Sequence, residues 1–101
     1  MTTPAPTVGA YRTALLEYLL RNDEAALTDA YDLGRSGLEA GYGLLQIVND
    51  HDRALRVILE ATPLDDESRR RINAASAQFL LEAICPFGMA ADGYRHVVKS
   101  R

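Results

Sequence analysis

The stretch from Gln78 to Arg95, QFLLEAICPFGMAADGYR, constrains this chain more than any other. Ile72, Ala75, Phe79, Ala83, Phe87, Ala90, Tyr94 and Val97 recur at three-or-four spacing, which predicts one core-facing helix stripe. The opposite side is unusual. There Leu81, Cys85, Gly88 and Met89 fall at about the same spacing, and only Gln78, Glu82 and Asp92 interrupt the apolar surface. A helix that is apolar nearly all round needs cover on both sides. A small domain covers one side with its own helices, so the second face predicts contact with another chain.

The 101 residues suffice for one domain and are too few for two. Apolar residues make up 48% and charged residues 25%, which argues for a folded chain rather than a disordered or fibrous one. A domain of this size hides only somewhat more than ~60% of its unfolded surface, so association is an economical source of extra stability. The net charge of −3 argues against duplex nucleic acid as a partner, because such binders present basic patches to phosphate. Arg69, Arg70 and Arg71 follow directly on Asp65, Asp66 and Glu67 and read as a solvated helix start. The single cysteine has no partner for an intramolecular disulfide, and MTTPAPTVGA lacks the basic and apolar regions of a secretory leader. The expected home is the cytoplasm, and no run approaches the ~20 apolar residues that span a bilayer.

Residues 1–7 read as a disordered lead-in, followed by one helical domain over 8–101. Thr7 can cap a first helix reaching about Arg21, with Tyr11, Leu15, Leu16, Leu19 and Leu20 as its apolar face. Asn22 and Asp23 break and recap the chain, and a second helix runs from about Glu24 to Ala40 with Leu27, Ala30, Tyr31, Gly34 and Leu38 on one side. Glycine inside a helix costs roughly 1 kcal/mol relative to alanine, so Gly34 and Gly37 imply the close approach of another helix. Gly41 and Gly43 flank Tyr42 as a stop and turn. A third helix spans about Leu44 to Ala61, with Leu44, Val48, His51, Leu55 and Ile58 in register. Asp65 or Asp66 caps a fourth, longer helix, whose first-turn acids suit the positive end of its dipole. Pro86 lacks an amide hydrogen and predicts a kink or break near Cys85. No alternating run reads as a strand. The fold class is therefore all-α: an antiparallel four-helix bundle with a long kinked C-terminal helix, expected to form a homodimer.

No catalytic constellation emerges. His51 shares its stripe with Val48 and Leu55 and reads as a hydrogen-bonded core histidine, while His96 has no companion ligand. Two histidines and one cysteine scattered among helices do not make a zinc site. Cys85 has no histidine near it in the pattern and reads as a small apolar contact residue. The consecutive carboxylates Asp65, Asp66 and Glu67 point to different helix faces and form no acid–base pair. Neither GxGxxG nor GxxxxGK occurs. A binding or assembly module with no cofactor and no metal is the expectation.

The phrase FLLEAICPFGMAADGYR, preceded by YRTALLEYLLRNDEAALTDAYDLGRSGLEAGYGLLQIVNDHDRAL, resembles the N-terminal domain of RsbU-type phosphoserine phosphatases, a group related in fold to the C-terminal domain of KaiA. The resemblance covers about Tyr11 to Val98. It rests on the FLLE run at Phe79 to Glu82, the PFGMA run at Pro86 to Ala90, Tyr94, His51 and the Gly34 region, taken in order. Gly88 departs from the pattern, which carries Glu there in many members. The resemblance implies a helical dimer that receives an RsbT-like switch kinase and controls a linked or partner PPM-type serine phosphatase in stress and sigma-factor signalling. Any phosphatase activity would reside in a downstream domain.

From these residues we expect Leu81, Cys85 and Met89, with Glu24, to form the partner-binding surface. Ala30, Gly34 and Gly37 are expected at a close helix contact or dimer seam, and the outer face of the fourth helix is the competing seam. A bundle sensing a small apolar ligand between helices near His51 and Tyr94 is the alternative from another functional class.

Overall fold

A computed structural model describes the backbone of residues 8–61 and 63–99 and the side chains of residues 9–61 and 63–90. The expectations for Thr7, for the lead-in at residues 1–7 and for the side chains of Tyr94, His96 and Val97 lie outside this description. Four helices follow one another: α1 (Val8–Arg21), α2 (Glu24–Glu39), α3 (Leu44–Ala61) and α4 (Asp66–Lys99). Among the described residues there is no strand.

Local chemistry sets the boundaries. Asp23 has extended backbone and accepts from the Ala26 amide at 2.9 Å, which satisfies one of the free donors at the start of α2. Replacing Asp23 by alanine should cost about 1 kcal/mol, read as a lower urea midpoint at unchanged slope; an unchanged midpoint would show the cap to be idle. At the other end of α2, Gly41 takes φ +88°, where a side chain would be strained. The Tyr42 amide then returns to the Gly37 carbonyl at 2.8 Å and the Gly41 amide to that of Leu38 at 3.1 Å, a Schellman closure. Gly43 opens α3, its amide donating to the side chain of Gln46 at 2.9 Å. Asp65 caps α4 by accepting from the Ser68 amide at 2.7 Å, and its bonds to Ser68 hold its carboxyl below the ordinary carboxylate range.

The core gathers Tyr11, Leu15 and Tyr18 from α1, Ala26 and Ala30 from α2, Ile47 and Ala54 from α3, and Phe79 and Ala83 from α4. Phe79 is its centre. Its ring meets Tyr11 edge-on at 5.3 Å and Tyr18 at 5.9 Å, an arrangement favoured by the ring quadrupoles. α2 lies along α4, α1 touches the other three helices, and α3 closes against α1 and α4.

Two expected stripes are displaced. On α1 the buried line is Tyr11, Leu15 and Tyr18, whereas Leu16 and Leu20 are exposed, the latter at 78%. On α3 the buried line is Ile47, Asp50, His51 and Ala54, whereas Leu44 and Val48 are exposed. Leu16 and Val48 lie next to the buried Leu15 and Ile47 in sequence and so about 100° round the helix from them. Of the two outcomes expected at Pro86, a kink or a break, the break does not occur: α4 runs through it as one helix, and Pro86 itself is buried. Buried neighbours on its own face, Phe79 and Ala83, supply packing that offsets the missing backbone bond.

Candidate functional site

The outer face of α4 stays uncovered within one chain. Leu81 and Met89 are each 58% exposed, and Cys85 and Gly88 are exposed with them. Leu81, Cys85 and Met89 are spaced four apart, so they form one continuous strip along the helix. The strip reaches α2 at its far end, where the Tyr31 hydroxyl lies 3.9 Å from the sulfur of Met89.

Glu24 is not part of that strip. Gly34 of α2 sits against Ala83 of α4, and Tyr31, one turn earlier, sits against Met89, further along α4. Glu24 is a further ten residues before Gly34, roughly 15 Å along α2, on the far side of Met89 from Leu81. It is exposed in the first turn of its helix. A partner touching both Glu24 and Leu81 would have to cover about three turns of α4.

The three small residues of α2 face inward. Ala30, Gly34 and Gly37 are buried in their own chain. A methyl group on Gly34 would collide with the Ala83 carbonyl, and one on Gly37 would stand 3.1 Å from the tip of Ile47 and 3.5 Å from Tyr42. The glycines thus have a structural reason inside a single chain: they let α2 lie against α4 and against the α2–α3 turn.

His51 is held by α1. Its Nδ1 lies 2.8 Å from the Tyr11 hydroxyl, and the two rings meet edge-on. Burial raises the Tyr11 pKa and lowers that of His51, so a neutral phenol faces a neutral imidazole and the direction of their hydrogen bond is set by the imidazole tautomer. His51 is thus the hydrogen-bonded core histidine expected from its stripe, and only its partner, forty residues away, is not legible in sequence. A pH dependence follows. The folded state resists protonating His51 below its ordinary range, whereas the unfolded chain takes that proton near pH 6.5. Stability should therefore be flat above about pH 7 and fall as pH drops from there toward 5. Asp50, whose carboxyl burial pushes upward, acts with the opposite sign in the more acid carboxylate range. Urea midpoints at pH 7.5 and 5.5 for the native chain and His51→Gln check this, since the histidine part of the slope should vanish in the variant.

Among the described residues no group of three or more His, Cys, Asp and Glu side chains is arranged to hold a metal ion. No described helix is long and apolar enough to cross a membrane. With this geometry in view, comparison with known families matches residues 9–90 to the model for the N-terminal domain of phosphoserine phosphatase RsbU. Neither the curated proteins nor the solved structures gave a match.

Proposed function

The chain belongs to the family of N-terminal domains of phosphoserine phosphatase RsbU, and from that premise we propose that it is a dimerising, non-catalytic regulatory module. In this reading its four helices form an antiparallel bundle, two copies associate, and an RsbT-like switch kinase docks on the outer face of α4. Docking controls a PPM-type serine phosphatase, linked or separate, in stress and sigma-factor signalling, and the working compartment is the cytoplasm.

The observation that carries the proposal is the exposed strip of Leu81, Cys85 and Met89. Large apolar side chains left in water over two turns of one helix mark an interaction surface more than scattered exposed leucines do. Affinity then comes from desolvating the strip. Glu24, some distance beyond Met89, acts on encounter and orientation, as charges at the edge of an interface do.

The test is Leu81→Asp. An exposed site tolerates the change, so far-ultraviolet helicity and melting temperature should hold within about 0.5 kcal/mol of the native chain. Binding to an RsbT-like kinase, measured by calorimetry, should be lost, while sedimentation still reports a dimer. Full retained binding refutes the docking assignment. A monomeric variant reassigns the strip to the dimer seam.

A further inference from the structure

We propose that a cleft at the opposite end of α4 binds a small monocarboxylate carrying an apolar tail. The cleft, about 500 Å³, lies where the end of α1 and the α1–α2 turn meet the start of α4. Its wall is apolar: Leu19 of α1, Leu64 of the connector, and Ile72 and Ala75 of α4, each half-buried and none sealed by the chain's own side chains. At its mouth stand three polar residues, Asn22, Ser68 and Arg71. A concave apolar wall with a few convergent polar groups is the ordinary constitution of a small-molecule site. The position is also distinct from the docking strip, since Arg71 precedes Leu81 by ten residues, roughly 15 Å along the helix.

The polar groups select the ligand's head. Arg71 is exposed and makes no close ion pair among the described residues; its charge helps to lower the Asp65 carboxyl, but its planar fork of donors is not tied up by a direct contact and can meet a carboxylate in bidentate fashion. Asn22 holds the left-handed conformation, φ +50°, which asparagine tolerates better than most residues. Its amide donates to the Tyr18 carbonyl at 2.7 Å, and its side chain is left at the rim as a second donor. The start of α4 contributes no free donor through Ser68, because Asp65 already accepts from that amide. The same Asp65, with Asp66 and Glu67 beside it in sequence, sets the limit on charge. These acids repel a dianion such as phosphate about twice as strongly as a single negative charge, and the Arg71 guanidinium offsets one charge, not two. The apolar wall then requires a tail, which makes a medium-chain carboxylate the class that fits both parts.

Titration of the isotope-labelled chain with sodium octanoate, followed by amide chemical shifts, tests the site. Saturable shifts centred on Leu19, Leu64 and Ile72 are expected, with 1-octanol at least about tenfold weaker and inorganic phosphate without effect, since losing one charge-assisted contact is worth about that factor. Arg71→Ala should weaken octanoate about tenfold with the rest of the spectrum unchanged, and Arg71→Lys should recover part of the loss. The proposal is overturned if octanoate gives no saturable shift at these residues, or if octanol binds the native chain as well as octanoate does. It fails equally if the shifts centre on Leu81 and Met89 instead.

Discussion

Gly34→Ala should destabilise the fold by roughly 2–4 kcal/mol, although it replaces the poorest ordinary helix former with the best one. The two effects have opposite signs and unequal sizes. Helix propensity alone would add about 1 kcal/mol of stability. Against it stands a methyl group directed into the Ala83 carbonyl, a backbone atom that no side-chain rotation can move aside. α2 would have to lift from α4, and with it the contacts of Ala30 and Ala83 in the core. Other glycines provide the control series. At Gly37 the nearest neighbour is the flexible tip of Ile47, so alanine there should be close to neutral. At Gly88, exposed within α4 with nothing near a new methyl, alanine should stabilise by about 0.5–1 kcal/mol. Thermal melts of the three variants should rank Gly88→Ala above the native chain, Gly37→Ala near it and Gly34→Ala at least about eight degrees below, by the usual ~4–8 °C per kcal/mol for a domain of this size. A Gly34→Ala variant that melts at or above the native temperature would show that the α2–α4 approach is looser than described.

Three kinds of information in this chain differ in how far residues alone carry them. Helix ends are local, set by side chains within four residues, and the signals at Asp23, Gly41, Gly43 and Asp65 coincide with the bonds that start α2, α3 and α4 and terminate α2. Which apolar residues face inward is less local. Leucines occupy two adjacent lines on α1, so periodicity alone chooses poorly between Leu15 with Tyr18 and Leu16 with Leu20. The choice is made by what approaches: the Phe79 ring from α4 and the His51 ring from α3 both meet aromatic residues of α1. Small residues mislead in the same way. Ala26, Ala54 and Ala83 carry little hydrophobic signal, yet each is nearly or fully buried, because close helix approach leaves room for nothing larger. The outer strip of α4 belongs to a third kind. Its apolar excess is visible in sequence, but its distance from Glu24 depends on how α2 and α4 are set against each other, which only the Gly34–Ala83 and Tyr31–Met89 contacts reveal.

Phe79→Ala should cost about 3–5 kcal/mol, the range for emptying a fully buried aromatic site. Typical domains have only 5–15 kcal/mol in total, so this one change removes a large part of the stability. The reason lies in its position. Phe79 belongs to α4 but packs between Tyr11 and Tyr18 of α1, so its loss opens a void against both rings and removes two aromatic contacts together. Tyr11 is in turn bonded to His51, which extends the effect to α3. Phe79→Leu, which keeps most of the volume and loses only the ring contacts, should cost clearly less. A double variant with Tyr18→Ala separates packing from coupling: residues sharing one cavity should be non-additive by about 0.5–3 kcal/mol, whereas simple addition would mean that the two rings act independently. Urea unfolding followed by circular dichroism measures all five chains, the Tyr18→Ala single variant included, and a Phe79→Ala midpoint within error of the native one would remove Phe79 from the centre of the fold.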